Sequence, residues 1–406
     1  MRILVLCATL LGLFTATSTA QTAKQWTAAR ALMVETDVAS AGIKNPAVLA
    51  VMRSTPRHEF MPPDVRPYAY VDMALPIGEH QTITTPFIVA WMTQQLDPQP
   101  NERVLEVGTG SGYQAAILAG LVKEVYTIEI VEVLAERAAK TFKRLKYQNI
   151  QSKVGDGYQG WAEHAPFDKI IVTCSPEKVP KPLVDQLREG GRLIIPLGER
   201  YQQTLFVMRK EDGKLVTESR EPTFFVPMTG KAETLRAVQS GEPLSPIING
   251  DFEQMLEPGK PVAWYYLRQA SIQEGGREGS PQCIAFRNRV PGRNAQALQP
   301  IGVDGRKVSE LVVDLWLKPT NVEAGASDEF GAKVSVSFFD EDRAPVGMQV
   351  MGPWTGTFDW QRRSAHLKVP PNARVGIVAL GLLGATGDLS CDQISVRMAN
   401  PRSASK

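Results

Sequence analysis

The sequence has few cysteines, few histidines and almost no net charge. Its 406 residues include four cysteines and four histidines, and the formal net charge at pH 7 is +2. Because no lysine- or arginine-rich block interrupts this balance, the chain has no general attraction for nucleic acid or for an anionic membrane. There is no internal repeat or low-complexity tract, and a hydrophobic content of 43% predicts a globular protein rather than a disordered one.

The apolar run at the start of the chain is too short to span a membrane, and it predicts a secretory signal. Arg2 precedes an apolar run over residues 3–14, and small residues then lead to Ala20. A buried first helix or a short membrane anchor fits less well, because the run is short and ends in small polar residues. We therefore predict cleavage after Ala20, export to the periplasm or the cell exterior, and no membrane anchor in the mature form.

Loss of this signal removes Cys7 and leaves three cysteines, at positions 174, 283 and 391. An odd number leaves at least one free thiol or one intermolecular bond. Cys283 and Cys391 are the pair that lies within one predicted domain, so they are the candidates for a disulfide.

The most informative segment is VLEVGTGSGY at residues 104–113, where an apolar strand-like run ends in three glycines before a helix-like run. Gly108, Gly110 and Gly112 allow a tight turn and a close approach of backbone to a ligand, and Glu106 adds a carboxylate at the strand end. Such a turn fits a nucleotide-type cofactor site, a dinucleotide fold or a purely structural turn. No Lys-Ser/Thr pair follows the glycines, which excludes a P-loop.

Two further acids follow the next two predicted strands. Glu129 lies in VYTIEI at 125–130, about 20 residues beyond the glycine turn, where such folds bind a ribose. Asp156 lies in the GDG segment 155–157, after the third strand. Acids at strand ends are often there only for solubility. Two of them at successive strand ends beside a glycine turn favour a cofactor site.

Strands and helices alternate from residue 103 onward, which predicts an α/β domain with a parallel doubly wound sheet. Before it, residues 21–75 are mostly helical, with a helix start at Asn45-Pro46. We predict strands at 103–107, 124–130, 150–154, 169–173 and 192–196, and helices at 112–119, 132–145 and 182–187.

The composition changes after Lys231, and the remainder predicts an all-β sandwich. Short alternating runs separated by Gly, Pro, Asn and Asp occur at 309–319, 332–342, 362–371 and 375–384. We predict a signal peptide at 1–20, a first domain at 21–232, a linker at 233–246, a β-sandwich at 247–398 and a tail at 399–406.

The first domain resembles the protein-L-isoaspartate (D-aspartate) O-methyltransferases. PIGEHQTITTP at 76–86, VLEVGTGSGYQAAILA, IIVTCSP, LREGGRLIIPLG and FFVPM occur in that family's order over about residues 33–230. The resemblance implies a Rossmann-like class I fold and S-adenosyl-L-methionine as cofactor. It also implies methylation of the free carboxyl group of L-isoaspartyl residues in damaged proteins or peptides, an activity that in this family is usually cytoplasmic.

The resemblance also implies the site residues. Thr84 takes the family's catalytic position, and its hydroxyl would hold the substrate carboxylate in line with the methyl group. Because a carboxylate is already ionised at neutral pH, the chemistry needs positioning rather than a strong base. Ile83 and His80 would contact substrate beside Thr84. The implied cofactor residues are Glu106, Gly108, Thr109, Gly110 and Ser111 around the methionine arm, Glu129 on the ribose, and Asp156 with Gly157 near the adenine.

Two of these positions have simpler interpretations, and so does Cys174. Thr84 and Thr85 form a pair that suits the cap of a helix beginning near Pro86, and Thr85 is the better placed for the cap. The family usually has glycine where His80 stands, and an exposed imidazole is an alternative to an acid–base role. Cys174, in VTCSP, fits a buried and inert thiol rather than a nucleophile.

The second domain resembles carbohydrate-binding modules of the galactose-binding-like jelly-roll type at its two ends, IINGDFEQ and GDLSCDQISVRM, which implies a jelly-roll sandwich. That resemblance implies a polysaccharide ligand. Trp316 fits the core, whereas Trp354 and Trp360 lie in a glycine-containing loop and would be exposed. Two alternative functions stay open: methylation of another carboxylate, and an exported glycan-binding protein whose methyltransferase-like domain is not catalytic.

Overall fold

A computed structural model describes residues 22–198, 203–223, 225–234, 244–277, 279–325, 331–341 and 345–401. The predicted signal peptide, and most of the predicted linker and tail, lie outside these residues. The described residues divide into two compact units on either side of the segment 235–243. Among them, no helix is long and apolar enough to cross a membrane.

The first unit begins with capped helices and a hairpin. Asn45 accepts hydrogen bonds from the N–H groups of Ala47 and Val48, which confirms the helix start predicted at Asn45-Pro46. The elements are α1 Ala23–Met33, continued by a π-helical segment Val34–Ala39, then α2 Pro46–Ser54, β1 Leu75–Gly78 and β2 Gln81–Ile83.

Five parallel strands and two antiparallel ones form the sheet of this unit. The elements are α3 Pro86–Leu96, β3 Arg103–Val107, α4 Tyr113–Ala119, β4 Glu124–Glu129, α5 Glu132–Arg144, β5 Ile150–Val154, β6 Phe167–Val172, α6 Lys181–Gln186, β7 Leu187–Gly198, β8 Gln203–Glu211, β9 Lys214–Thr223 and α7 Lys231–Thr234. The strand order is β5-β4-β3-β6-β7-β8-β9, parallel as far as β7. The predicted α/β class and parallel sheet are therefore confirmed, and the central strands are apolar because both faces are covered.

The hairpin of β8 and β9 was not predicted, although a signal for it is present. Asp212 and Gly213 join the two strands and both have positive φ, at 50° and 75°. An Asp-Gly pair between two strands is typical of a two-residue hairpin turn. The strand predicted at 192–196 is also longer than expected, running from Leu187 to Gly198 so that it pairs with β8.

The second unit is all-β, as predicted. Its strands are β10 Met255–Glu257, β11 Lys260–Pro261, β12 Tyr265–Arg268, β13 Ala270–Glu274, β14 Gln282–Asn288, β15 Gln296–Gly302, β16 Val308–Glu323, β17 Ala332–Phe339, β18 Pro345–Trp354, β19 Gln361–Lys368, β20 Val375–Gly381 and β21 Thr386–Pro401. Two five-stranded sheets, β12-β15-β20-β17-β18 and β13-β14-β21-β16-β19, enclose one apolar core.

The tryptophan predictions for this unit are partly wrong. Trp316 is half-buried and lies outside the core, with the Arg277 guanidinium 4.8 Å from its ring centroid, because Leu315 and Leu317 take the inward positions of β16. Trp354, expected in an exposed loop, is half-buried and packs against the core.

The two cysteines of the second unit do not pair. All three described cysteines are free thiols. Cys391 lies opposite Ile284 and points into the core with it, whereas Cys283, the neighbour of Ile284, points to the other face. Opposite faces of one sheet exclude a disulfide between them.

Candidate functional site

A cavity opens at the carboxyl ends of β3, β4 and β6, where a parallel sheet of this kind binds its ligand. It encloses about 780 Å³ of empty space, counting its open mouth. Its walls are residues 81–84 and Val89, residues 106–111 with Tyr113 and Gln114, residues 128–131, Gly157, Thr173 with Cys174, and residues 226–229.

Most of the predicted site residues line this cavity. Only His80 and Asp156 do not, although the neighbours of both do. The structure therefore brings these side chains together, while their individual roles remain predictions. The predicted residues on the walls are Ile83, Thr84, Glu106, Gly108, Thr109, Gly110, Ser111, Glu129 and Gly157.

The glycine turn has a backbone that other residues would strain. Gly108 has φ +98°, and a Cβ built there would lie 2.5 Å from Thr173 Oγ1. Gly112 has φ +87°, and its Cβ would lie 2.7 Å from the Phe142 ring. Since real Cβ atoms do not make contacts this short, both positions require glycine.

Glu129 is held by backbone donors at the edge of the turn. Its Oε2 accepts from Gly110 N–H at 2.7 Å, and its Oε1 accepts from Val131 N–H at 3.0 Å. Each carboxylate oxygen has a second lone pair, so the fixed side chain can still accept from two neighbouring hydroxyl groups. These acceptor oxygens fit the ribose hydroxyl groups of a nucleotide-type cofactor.

Glu106 is fully buried and only half satisfied. Its Oε2 accepts from Thr127 Oγ1 at 2.5 Å, and Thr109 Oγ1 lies 2.6 Å from that hydroxyl. Its Oε1 has no hydrogen-bond partner among the residues that the structure describes. Burial raises the pKa of Glu106 to about 8, the Thr127 bond opposes the shift, and the negative charge of Glu129 adds to it.

Glu106→Gln is expected to remove a pH dependence of stability. The folded protein holds this proton more tightly than the unfolded chain, so the stabilisation is present below pH 4.5 and is lost as pH rises towards 8. The slope of the wild-type loss is at most about 1.4 kcal/mol per pH unit. In urea unfolding, the variant should gain stability over wild type between pH 5 and pH 8. If the free energy of unfolding depends on pH in the same way in both proteins, the raised pKa of Glu106 is wrong.

Thr84 and Thr85 have different surroundings. Thr85 caps α3, and its hydroxyl accepts from Ile88 N–H at 3.3 Å, as predicted. Thr84 lines the cavity, and its hydroxyl makes no hydrogen bond to any residue that the structure describes. The Thr84 hydroxyl is therefore available to a ligand.

The hairpin of β1 and β2 carries Thr84 at its end, and its tip is strained. Glu79 and His80 form the turn with φ of +52° and +55°, and both are exposed. Ile77 is buried against the glycine turn, and its carbonyl accepts from Arg137 Nη1 at 2.6 Å. The hairpin, which sequence analysis did not predict, is thus tied to α5, the helix that follows Glu129.

His80→Gly is expected to stabilise the protein by about 0.5 kcal/mol. Relief of the left-handed strain, about 1–2 kcal/mol, exceeds the entropic cost of glycine, about 0.5–1 kcal/mol. His80→Val should act in the opposite direction, because a β-branched residue tolerates positive φ poorly. Urea unfolding of the three proteins tests the order Gly, His, Val. If the valine variant equals wild type, the turn is not strained.

One wall of the cavity, residues 226–229, was missed as a functional element. Ser175 bonds it directly, because its N–H donates to Val226 O and its carbonyl accepts from Met228 N–H. Asp156 holds the chain two residues beyond it: Oδ2 accepts from Lys231 N–H and Oδ1 from Tyr158 N–H, both at 2.9 Å. Ser175 therefore anchors this wall, and Asp156 fixes the backbone that follows it. The sequence signal for this wall was the FFVPM segment, to which sequence analysis assigned no role in the site.

Cys174 is half-buried on the cavity wall. Burial raises its thiol pKa, and the charges of Glu129, Asp156 and Glu106 act in the same direction. A thiol that keeps its proton at neutral pH is a poor nucleophile. No group of three or more His, Cys, Asp or Glu side chains able to hold a metal ion occurs in the described part of the chain.

Comparison with known proteins identifies relatives of the first unit. A family model described as "Protein-L-isoaspartate(D-aspartate) O-methyltransferase (PCMT)" matches residues 29–233. A protein-L-isoaspartate O-methyltransferase of Gloeobacter violaceus is 49% identical over 198 residues, which are 48% of this chain and 97% of that protein. Protein-L-isoaspartate O-methyltransferase 2 of Syntrophobacter fumaroxidans is 53% identical over 188 residues, 46% of this chain and 76% of that protein.

Among solved structures, one of the similar proteins is from Plasmodium falciparum. It is described as a "putative protein-L-isoaspartate O-methyltransferase" in complex with S-adenosyl-L-homocysteine. It is 27% identical, covers 49% of this chain and 98% of its own, and gives a TM-score of 0.43.

Proposed function

This chain belongs to the protein-L-isoaspartate (D-aspartate) O-methyltransferase family, and we propose that it methylates the free carboxyl group of L-isoaspartyl residues in damaged proteins. The observation that carries the proposal is the family match over residues 29–233, which contains the whole cavity. Relatives about 50% identical over nearly their full length bear the name of this activity.

The residues of the cavity fit S-adenosyl-L-methionine. Bound there, this cofactor supplies an electrophilic methyl group on a sulfonium centre. The glycine turn leaves room for a close backbone approach, and the fixed Glu129 carboxylate suits a ribose.

The chain's own contribution to methyl transfer is positioning. The Thr84 hydroxyl donates a hydrogen bond to the substrate carboxylate and orients one carboxylate oxygen towards the methyl group. No side chain has to remove a proton, because the attacking carboxylate is ionised. The walls formed by the β1–β2 hairpin and by residues 226–229 exclude water from the reacting atoms.

The methyl ester explains the repair. Methylation gives the isoaspartyl carboxyl carbon a better leaving group, so the neighbouring peptide nitrogen can attack it and close a succinimide. Hydrolysis of the succinimide then returns part of the material to a normal aspartyl linkage.

Paired peptides test this function directly. Residues 21–406 are incubated with methyl-labelled S-adenosyl-L-methionine and two peptides that differ only in an L-isoaspartyl or a normal aspartyl linkage. Base-labile label on the isoaspartyl peptide alone is the expected result. Cofactor binding without transfer would favour another carboxylate substrate. No cofactor binding would favour a non-catalytic, glycan-binding protein.

We also propose that the chain is exported. The support is the sequence of residues 1–20, which lie outside the described residues. Export raises the question of cofactor supply, since S-adenosyl-L-methionine is made in the cytosol. Cell fractionation with N-terminal sequencing tests the proposal. A mature chain beginning at Gln21 outside the cytosol is expected, and an intact Met1 in the cytosol would refute it.

For the second unit, we propose polysaccharide binding. Trp316, in the middle of β16, pairs with Arg362 near the start of β19, and Trp360 directly precedes β19, so the two tryptophans lie on neighbouring segments. Both are half-buried, and flat aromatic faces suit sugar C–H surfaces. In pull-downs with insoluble polysaccharides, the full chain should be retained and a Trp316→Ala, Trp360→Ala variant should not. Equal retention of both proteins would remove the proposal.

A further inference from the structure

The β1–β2 hairpin, which carries Thr84 at its end, is held against the first unit mainly by apolar packing. Leu75, Ile77 and Ile83 are its buried side chains, and Ile77 lies against the glycine turn. Apolar burial is non-directional, so it covers these side chains without fixing the position of the backbone. A hydrogen bond has a preferred length and angle, and is the kind of contact that can fix where Thr84 lies.

One hydrogen bond joins this hairpin to the rest of the described chain. Within residues 75–84 of the described structure, only Ile77 bonds outside the hairpin, and its carbonyl accepts from Arg137 Nη1 at 2.6 Å. The same guanidinium lies beside the next residue, since a Cβ added at Gly78 would be 3.6 Å from Nη1. Hydrogen bonds from charged donors are the stronger class. Arg137 therefore supplies the directional contact that the apolar packing lacks.

The helix that carries Arg137 is itself fixed to the cofactor side of the cavity. α5 begins after Val131, whose N–H donates to Glu129 Oε1. Further along, the Phe142 ring packs against Gly112, where an added Cβ would lie 2.7 Å from it. Arg137 lies between these contacts, about 9 Å along the helix axis from Val131. A bond from the hairpin to α5 is therefore a bond to the elements that carry Glu129 and the glycine turn.

We propose that Arg137 is a positioning residue for methyl transfer. Its hydrogen bond to Ile77 O sets the hairpin at a fixed distance from the glycine turn, and this holds the Thr84 hydroxyl where the acceptor carboxylate meets the methyl group. Arg137 is exposed and does not line the cavity, so it acts through Thr84 rather than on the substrate. The proposal rests on the proposed function for the reaction that Arg137 serves.

A double-mutant cycle tests whether Arg137 acts through Thr84. Arg137→Ala should lower kcat for an isoaspartyl peptide about tenfold, the usual contribution of one charge-assisted hydrogen bond, and leave the affinity for S-adenosyl-L-homocysteine unchanged. In a Thr84→Ala background, it should lower kcat at most about twofold, because the hydroxyl that it positions is gone. Arg137→Lys, which keeps a charged donor, should restore most of kcat. Equal losses in both backgrounds, or no loss in either, would overturn the proposal.

Arg144 supplies a matched control on the same helix. Its guanidinium pairs with the Glu59 carboxylate and donates to Glu59 O at 3.0 Å, so it too joins α5 to a backbone carbonyl distant in sequence. Glu59 lies outside both the hairpin and the cavity wall. Arg144→Ala should therefore leave kcat at the wild-type value. A tenfold loss in this variant would show that loosening of α5, rather than loss of the bond to the hairpin, lowers kcat, and would overturn the proposal.

Hydrogen exchange measures the same contact with no methyl acceptor present. In Arg137→Ala, the amides of residues 75–84 should exchange about tenfold faster than in the wild type, while those of β3 and β4 keep their rates. Arg144→Ala should leave the hairpin amides unchanged. Unchanged exchange of the hairpin in Arg137→Ala would overturn the proposal whatever the substrate proves to be. Faster exchange without isoaspartyl methylation would support this role of Arg137 and refute the proposed function alone, so the two proposals fail separately.

Discussion

Thr84→Ala is expected to lower kcat for an isoaspartyl peptide about a hundredfold, the usual loss when one preorganised donor is removed from a reacting centre. The physical reason is the free Thr84 hydroxyl on the cavity wall, which holds the attacking carboxylate in line with the methyl group. Affinity for S-adenosyl-L-homocysteine should not change, because no cofactor contact is assigned to this hydroxyl. Steady-state kinetics and calorimetry measure the two quantities.

Variants at Thr84 and its neighbour Thr85 separate an effect on kcat from an effect on stability. Thr84→Ser retains the hydroxyl and should retain most of kcat. Thr85→Ala removes the α3 cap and should lower stability by about 1 kcal/mol while kcat stays within a few fold of wild type. If Thr85→Ala loses as much activity as Thr84→Ala, the effect of Thr84 is structural.

Gly108→Ala should abolish measurable cofactor binding, with a loss of at least about a hundredfold in affinity, or about 2.7 kcal/mol. The added Cβ would lie 2.5 Å from Thr173 Oγ1 at a φ of +98°. The turn has to move to relieve this contact. Gly110 N–H, which bonds Glu129, moves with the turn, so the ribose site is lost. Calorimetry with S-adenosyl-L-homocysteine measures the loss.

Gly42 provides a control with the same backbone strain and no steric contact. Its φ is +106°, and nothing lies within 4 Å of an added Cβ. Gly42→Ala should therefore cost about 1–2 kcal/mol of stability through strain alone and leave cofactor affinity intact. Equal losses of affinity in the two variants would show that global destabilisation, rather than the turn, is responsible.

The central part of the site was predictable because it follows strand ends. Glu106 and Glu129 lie in the last two residues of buried parallel strands, the glycines follow one of these strands, and the carboxyl ends of such strands meet at one edge of the sheet. Local periodicity is enough to place them together. The Thr85 cap was also predictable, since a threonine before a proline is a local signal.

The remaining walls depend on contacts that are distant in sequence. Arg137 meets the carbonyl of Ile77 across 60 positions, and Asp156 meets Lys231 across 75. No local pattern encodes such pairs. Gln114, which lines the cavity, was overlooked for the same reason, since its hydrogen bond to Thr93 spans 21 positions. Trp316 was misplaced because apolar residues on both sides hid the alternation of β16.

The open sheet of the first unit has consequences for how damaged polypeptides are recognised. Its edges are β5 and β9, and an unpaired edge can capture any extended chain through backbone hydrogen bonds. Here β9 carries Lys214, Glu218, Arg220 and Glu221, and then Pro222, which has no N–H. Charges and proline on an edge discourage such pairing. At β9, a repair enzyme can therefore meet partly unfolded substrates without pairing with them, so this edge leaves selection to the cavity and to the damaged linkage itself.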